Sequence, residues 1–358
     1  MKSLKVVFLS NWKNNPYKHL LINHLNPKGV QIEEYFYSLL FLPLIFRTGK
    51  PDLIHFHALH CFIVHKNSVI RFIKFLIFLP QIFFLNILNI KLVWTVHEWH
   101  DKINDGDSNI TANQAAIIGR FFSGIITHCQ TTKNEIITAF KLKNQEKVVV
   151  IPHGNYIDVY KNEVTQVEAR KALGIPPKNL VFLLFGGIYR YKGVLEAIDN
   201  FKKLQQQGIY LLIVGKVYEE ELESTILSKI KGYKNILFFH KRIPDDEIQI
   251  YMNACDCLIV PYKVFTTSGV AILGMSYGRA CIAPNTGFFS DILDESGAFL
   301  YDLNHEDGLL HGMKRAIETK DKLAEMGTYN FKVTEKCNWD YLSEQTLNLY
   351  QHCLGFKL

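Results

Sequence analysis

The chain lacks any pair of cysteines at the CxxC spacing, and its seven cysteines are odd in number and scattered. This excludes a disulfide framework and the common zinc-ribbon spacings, and implies reduced thiols of a cytosolic protein. No HExxH is present. His97-Glu98-Trp99-His100-Asp101 comes nearest, but it follows an apolar strand-like run directly, so the two histidines lack the helical i,i+4 geometry of a zinc site. No metal and no other cofactor is expected. The start lacks a charged segment leading into an apolar core and a small-residue cleavage site, so no secretion signal is read. Internal repeats of 20 to 50 residues and low-complexity tracts are also missing, which argues against solenoids and disorder.

Acidic residues are scarce in the first third. Residues 1–96 hold 11 Lys/Arg against 3 Asp/Glu, a balance of +8, so the remaining 262 residues sum to −2 of the net +6. A basic region implies an acidic surface or substrate. These cations lie among Phe, Leu and Ile and form no Arg-rich run, which points away from nucleic acid. Val69 to Val93 is the most apolar stretch. Arg71, Lys74, Pro80, Asn86 and Asn89 interrupt it, and a core-type strand follows at once. A buried helix of an α/β layer is the first reading. A membrane-spanning helix and one lying on the face of an anionic bilayer, with Leu39 to Arg47 beside it, are the alternatives.

The 358 residues suffice for two domains, and 48% hydrophobic content supports full cores. Short apolar runs ending in small or polar residues alternate with helical patterns throughout. Such continuous runs suit parallel strands covered on both faces. One series comprises residues 5–10, 31–35, 53–57, 92–96, 124–128 and 148–151. A second comprises 180–185, 210–214, 236–239, 257–260, 280–283 and 298–301. The predicted organisation is an N-terminal Rossmann-like domain over 1–155, a linker over 156–177, a second Rossmann-like domain over 178–335, and a final helix over 336–358.

The chemistry-bearing pattern lies in the second series. After the run Cys257 to Val260, Thr266-Thr267-Ser268-Gly269 opens a helical pattern ended by Gly278. A hydroxyl-Gly turn at a helix start presents N–H groups and the positive end of the helix dipole, a natural phosphate site, although Ser268 can equally serve as a plain N-cap. Upstream, Phe185-Gly186-Gly187-Ile188-Tyr189-Arg190-Tyr191-Lys192-Gly193 adds a second glycine turn and two cations.

Together these stretches resemble the donor half of a GT-B glycosyltransferase of the family 4-like group. The resemblance extends over nearly the whole chain. Pro51-Asp52-Leu53-Ile54-His55-Phe56-His57, Trp94-Thr95-Val96-His97 and Val150-Ile151-Pro152-His153-Gly154-Asn155 are similar to N-terminal segments of that family. Ile243 to Glu247, Ala254-Cys255-Asp256 and Trp339 are similar to later ones. The resemblance implies two Rossmann-like doubly wound α/β domains facing a central cleft, and transfer of a sugar from a UDP- or GDP-sugar to a saccharide acceptor, possibly lipid-linked. It implies donor contacts from Gly187, Arg190, Lys192, Thr267, Ser268, Gly269 and His153. It also places the acceptor beside Asn11, Asn15 and Tyr17, in the loop after the first strand.

The pattern departs from the family at two places. Phe265 and Leu273 stand where a pair of glutamates is usual, so carboxylates at those positions cannot hold the donor sugar and ribose. This variant is similar to a subgroup of bacterial exopolysaccharide β-mannosyltransferases and suggests an inverting reaction, while the resemblance to GT-B enzymes in general implies a metal-independent one. Inversion needs a base for the acceptor hydroxyl. Asp101 is favoured, then Glu98 and His100, with His97 in the same segment and Asp105 and Asp107 beyond it. The expected location is the cytoplasm, peripherally on the inner face of the plasma membrane. A nucleotide-sugar epimerase of the same fold and a non-catalytic nucleotide-sugar or glycan binder are the alternatives.

Overall fold

The computed structural model describes residues 3–13, 15–99 and 111–356. Among them are twelve strands. The first six are β1 (Leu4–Ser10), β2 (Val30–Phe36), β3 (Leu53–Phe56), β4 (Lys91–Thr95), β5 (Gly124–Thr127) and β6 (Val148–Val150). The next six are β7 (Leu180–Phe185), β8 (Ile209–Val214), β9 (Ile236–Phe239), β10 (Cys257–Ile259), β11 (Ala280–Pro284) and β12 (Ala298–Tyr301). They form two six-stranded sheets, ordered β2-β1-β3-β4-β5-β6 and β12-β11-β10-β7-β8-β9. Every pairing is parallel. Helices cover the connections, as parallel strands require.

Both orders are doubly wound, and each reverses at one point: between β1 and β3 in the first sheet and between β7 and β10 in the second. Ligands of such sheets bind at that reversal, outside the carboxyl ends of the strands. The strands form where continuous apolar runs predict them. All six residues of β7 are buried, and each such Leu, Val or Phe contributes about 1.5–3 kcal/mol by leaving water.

Contacts divide the chain into two compact units. One runs to Gly154 and takes in the chain from Asn338 onward; the other is Asn155–Cys337. The core of the first unit is rich in phenylalanine. Phe41, Phe56, Phe62 and Phe78 pack with ring centroids 5.4–6.0 Å apart. The helix Trp339–Leu354 is capped by Asn338, whose side chain accepts from the Tyr341 N–H at 2.9 Å. It packs on this unit closely enough that a Cβ on Gly154 would meet the Trp339 ring at 2.4 Å.

The expectation of a linker over 156–177 is corrected. Thr165 and Glu168 form a capping box on the helix Gln166–Ala172. From that helix Arg170, buried, reaches the Asp256 carboxylate at 2.6 Å and the Ala254 carbonyl at 3.1 Å. Asp256 also accepts from the Val181 N–H at 2.8 Å, so the segment is fastened to the second sheet.

The apolar stretch after residue 68 is the helix Ser68–Ile87. Phe75, Phe78, Gln81, Ile82 and Leu85 form its buried face. Val69, Phe72, Ile73, Leu76, Phe83, Phe84 and Ile87 are exposed. By length and composition it is a helix that could cross a membrane. Its two cations turn inward: the Lys74 ammonium donates to the carbonyls of Cys61 and Val64 (2.9 and 3.1 Å), and Arg71 donates to that of His65 (3.3 Å).

Candidate active site

In the second unit, two loops meet at the reversal of strand order. Gly186 follows β7 at φ +97°, a left-handed conformation that glycine adopts without strain. After Ile188 and Tyr189, Arg190–Lys192 form one 3-10 turn, and Gly193, at φ +71°, starts the next helix. A Cβ on Gly193 would sit 2.2 Å from the Pro261 carbonyl oxygen, so only glycine lets this turn approach the loop after β10. The Lys263 N–H donates to the Tyr191 carbonyl at 2.8 Å and ties the same two loops.

The loop after β10 leads into the helix Gly269–Ser276. The Ser268 hydroxyl accepts from the Ala271 N–H at 3.2 Å, so it caps the helix as well as standing beside its positive end. The Thr267 Oγ1 is buried and has no hydrogen-bond partner among the described residues. A buried hydroxyl left unpaired costs about 1–3 kcal/mol, which an incoming acceptor atom would recover. Lys192 stands over the Tyr189 and Tyr262 rings, its Nζ 5.7 and 5.3 Å from their centroids. Gly187, Lys192, Thr267, Ser268 and Gly269 therefore lie on the two loops that meet at this strand end. Arg190 is engaged differently: its Nε pairs with Glu219 at 3.2 Å and its backbone N–H donates to the same carboxylate at 2.7 Å. Where the two usual glutamates are missing, Phe265 packs on Phe289 with ring centroids 4.5 Å apart, and Leu273 is buried.

In the first unit the strand ends carry imidazoles. His55 lies in β3, and His57, His97, His128 and His153 follow β3, β4, β5 and β6 within three residues. All five are buried. His55 is fully satisfied, with Nδ1 2.5 Å from the Tyr350 hydroxyl and Nε2 2.7 Å from that of Thr95. The His57 Nδ1 and His97 Nε2 are 3.5 Å apart. Nδ1 of His128 meets the Ile151 carbonyl at 2.9 Å, and Nδ1 of His153 meets that of Gly154 at 2.8 Å. The Nε2 atoms of His57 and His128 are buried and have no hydrogen-bond partner among the described residues.

Burial holds all five imidazoles neutral. It pushes His128 down to about 3 and His153 to about 4, and lowers His55, His57 and His97 well below the usual range. Neighbouring imidazoles add to the effect for His55, His57, His97 and His128. Among the described residues no three His, Cys, Asp or Glu side chains are arranged to share a metal ion.

Tyr17 lies at the centre of this cluster, 4.7–6.2 Å from the rings of His57, His97, His128 and His153. At 2% exposure it supports the histidines and offers no surface to an acceptor, a correction to its expected role. His153 belongs to the same cluster, in the first unit. Asn11 is exposed, while Asn15 precedes the helix Pro16–Leu25. Glu98 is 37% exposed at its side chain and lies 4.0 Å from the His60 ring nitrogen. His100, Asp101, Asp105 and Asp107 fall outside the described residues.

Sequence reasoning noted His55 and His57 but not the convergence of His57, His97, His128 and His153. The available signal was a histidine one to three residues after each of four successive strands.

Two family models match the chain. Residues 6–158 match Glycosyltransferase Family 4, and residues 165–333 match Glycosyl transferases group 1. The chain belongs to these glycosyltransferases. A GDP-mannose:glycolipid 4-beta-D-mannosyltransferase of Xanthomonas campestris pv. campestris is 26% identical over 166 residues, 46% of this chain and 45% of that protein. The match thus spans less than half of that relative's length. An uncharacterized glycosyltransferase of Methanocaldococcus jannaschii is 23% identical over 94% of this chain and 86% of its own. Among solved structures, the sucrose-phosphate synthase of Thermosynechococcus elongatus superposes with a TM-score of 0.78 at 14% identity, covering 99% of this chain and 100% of that one. Anabaena HepE, solved with UDP and glucose, gives 0.75 at 16% identity, covering 98% and 100%. The GT-B fold of this glycosyltransferase follows from those likenesses.

Proposed function

We propose that this glycosyltransferase is a hexosyltransferase that moves a sugar from a UDP- or GDP-sugar to a saccharide acceptor in polysaccharide or glycoconjugate assembly, inverting the anomeric centre without a metal. The observation that carries the reading is the junction of two glycine turns at the β7/β10 reversal. There the loop that carries Lys192 meets the loop that carries the Thr267 hydroxyl and the start of the helix Gly269–Ser276. A departing nucleoside diphosphate gains negative charge as the glycosidic bond breaks, and preoriented N–H groups and a cation stabilise that charge. The mannosyltransferase relative uses GDP-mannose by name, and HepE was solved with UDP, which supports this donor class.

The acceptor hydroxyl needs a base from the first unit. His97 is a poor choice, because burial weakens its affinity for a proton. The segment that follows it carries Glu98 and Asp101, and a carboxylate there takes the role. The acceptor is lipid-linked in this reading, with the protein held at the inner face of the plasma membrane. The support is the exposed apolar face of the helix Ser68–Ile87 together with the +8 balance of residues 1–96. Because Arg71 and Lys74 bond to backbone carbonyls, apolar burial outweighs headgroup attraction in this contact.

The test is release of nucleoside diphosphate and transfer of labelled sugar by purified protein, from UDP- and GDP-sugars, with lipid-extract acceptors. A protein that neither binds nor consumes any nucleotide sugar overturns the reading. Flotation with liposomes checks the membrane contact: Phe72→Ser/Leu76→Ser is expected to abolish it, and unchanged flotation refutes it.

A further inference from the structure

Beside the glycine turn lies a stack of tyrosines that has no part in the reading above. Gly215, at φ +146°, follows β8 and passes so near the turn after β7 that a Cβ on it would sit 1.8 Å from the Gly186 carbonyl oxygen. Ile188 and Val217 pair in parallel beyond the sheet. The Ile188 N–H donates to Lys216 at 2.8 Å, and the Tyr218 N–H donates to Ile188 at 3.2 Å. These bonds fix the backbone of Tyr218 to the phosphate turn.

The Tyr218 ring lies parallel to that of Tyr189, with 4° between planes and 5.0 Å between centroids. Tyr189 in turn stacks on Tyr191 at 5.4 Å. A Cβ on Gly187 would lie 3.1 Å from the Tyr218 ring, so the glycine lets the ring settle over the turn. Yet Tyr218 remains 56% exposed. An aromatic ring held rigid and left in water at a strand end is already ordered for a flat ligand, which removes part of the entropic cost of binding.

Strand order gives the direction. The phosphate-type helix start follows β10, the glycine turn follows β7, and Tyr218 follows β8, the next strand along the sheet. A nucleoside diphosphate with its phosphates across β10 and β7 extends either over β8 or over β11. Past β11, Phe288 and Phe289 are buried in packing. Past β8, a tyrosine ring is presented, with the Lys216 ammonium 5.4 Å from its centroid.

We propose that Tyr218 is the platform on which the donor nucleobase stacks, making it a determinant of binding at the nucleoside end. The inference rests on the nucleotide-sugar reading of this site. Stacking of a base on an aromatic side chain is sequence-tolerant, because every base has a π face. UDP and GDP are therefore both expected to use the ring.

The experiment is titration calorimetry on the full chain with UDP, GDP and ribose 5-diphosphate, which carries the phosphates without a base. Tyr218→Ala is expected to weaken UDP and GDP about ten- to a hundredfold and to leave ribose 5-diphosphate unchanged. Tyr218→Phe is expected to keep parent affinity for all three. Tyr218→Leu, which preserves bulk but not the ring, is expected to follow the alanine variant and guards against a folding defect. If the parent protein binds neither UDP nor GDP, the donor reading fails and takes this inference with it. If the parent binds them and Tyr218→Ala binds equally well, only the role of Tyr218 is overturned. Equal losses for ribose 5-diphosphate and the nucleotides would mean that the ring merely props the phosphate turn. Parent affinity for UDP and GDP with a loss confined to UDP-glucose or GDP-mannose, titrated alongside, would place the ring at the sugar. Either result overturns the assignment.

Discussion

The two sheets of this glycosyltransferase share one scaffold, six parallel strands doubly wound, yet their carboxyl ends carry opposite chemistry. In the first unit the ends are covered by four neutral, buried imidazoles around a buried tyrosine, with a fifth, His55, inside β3. In the second they carry two glycine turns, a helix start and the cations Lys192 and Arg190. The difference shows what the fold decides and what it leaves to side chains. The parallel sheet brings every strand end to one edge. Whether that edge receives a diphosphate or stays apolar and uncharged depends on the few residues after each strand.

The largest effect is expected where the first unit departs from its apolar character, in the carboxylates after His97. Replacing the base is expected to slow transfer by about 10²–10⁴-fold while nucleotide binding, which the proposed site puts on the second unit, stays at the parent level. Asp101→Asn is the first variant, with Glu98→Gln beside it. Single-turnover transfer and nucleotide titration on the same preparations check both halves. Parent rates in both variants would move the base to Asp105 or Asp107.

Acid separates the units next. His128 and His153 are neutral in the folded protein, with pKa values pushed down to about 3 and about 4. Once unfolded, each takes up a proton below about pH 6.5. The unfolded state therefore binds more protons between about pH 6.5 and 4, and stability falls as pH falls through that window. At pH 5 each histidine accounts for a loss of about 2 kcal/mol, since one pKa unit is worth about 1.4 kcal/mol. The four tryptophans, at 12, 94, 99 and 339, all lie in the first unit. Their fluorescence during denaturant unfolding is expected to show a midpoint that drops sharply from pH 7.5 to 5, and His128→Gln is expected to flatten the drop. A midpoint that does not move would mean the imidazoles take up protons while folded.

Lys192 tests the other edge. Lys192→Ala is expected to weaken UDP or GDP binding by about 1.5–3 kcal/mol, the range for a hydrogen bond to a charged group. The midpoint of tryptophan-monitored unfolding is expected to stay unchanged. Titration calorimetry with the nucleoside diphosphate decides, and parent affinity would remove Lys192 from the site.

These contrasts were unequally legible in the sequence. The strands could be read because buried parallel strands are continuous apolar runs, such as Leu180 to Phe185. The glycine turns could be read because glycines at 186, 187 and 193 and the Ser268-Gly269 step are local signals. The histidine cluster could not, because its members lie tens of residues apart and only the strand order brings them together. His57 and His97, 40 positions apart, are an example. Tyr17 looked like a loop residue near an acceptor. Packing decided otherwise, since a ring among four imidazoles gains more from burial than from water. The segment 156–177 reads as polar and proline-flanked, and nothing local reveals that Arg170 will find Asp256, 86 residues away.

The smallest effect concerns the second cation of the glycine turn and sharpens the difference between neighbours two residues apart. Arg190 and Lys192 share one 3-10 turn, and sequence alone gives them the same task. In the structure the guanidinium of Arg190 pairs with Glu219 while its side chain stays about half exposed. Solvent screens an ion pair of that kind, so the pair itself contributes only about 0–1 kcal/mol to stability. Its charge is nevertheless offset before any phosphate arrives. Arg190→Ala is therefore expected to weaken nucleoside diphosphate binding less than Lys192→Ala does, by under about 1 kcal/mol. Glu219→Gln releases the guanidinium and removes a negative charge near the turn, so it is expected to tighten binding by a similar small amount. Both shifts are expected to shrink as salt rises, because exposed charges are screened beyond about 8 Å at physiological ionic strength. Affinities measured at 50 and 500 mM salt check this. A loss in Arg190→Ala as large as that in Lys192→Ala would show that Arg190 leaves Glu219 for the diphosphate when the donor binds.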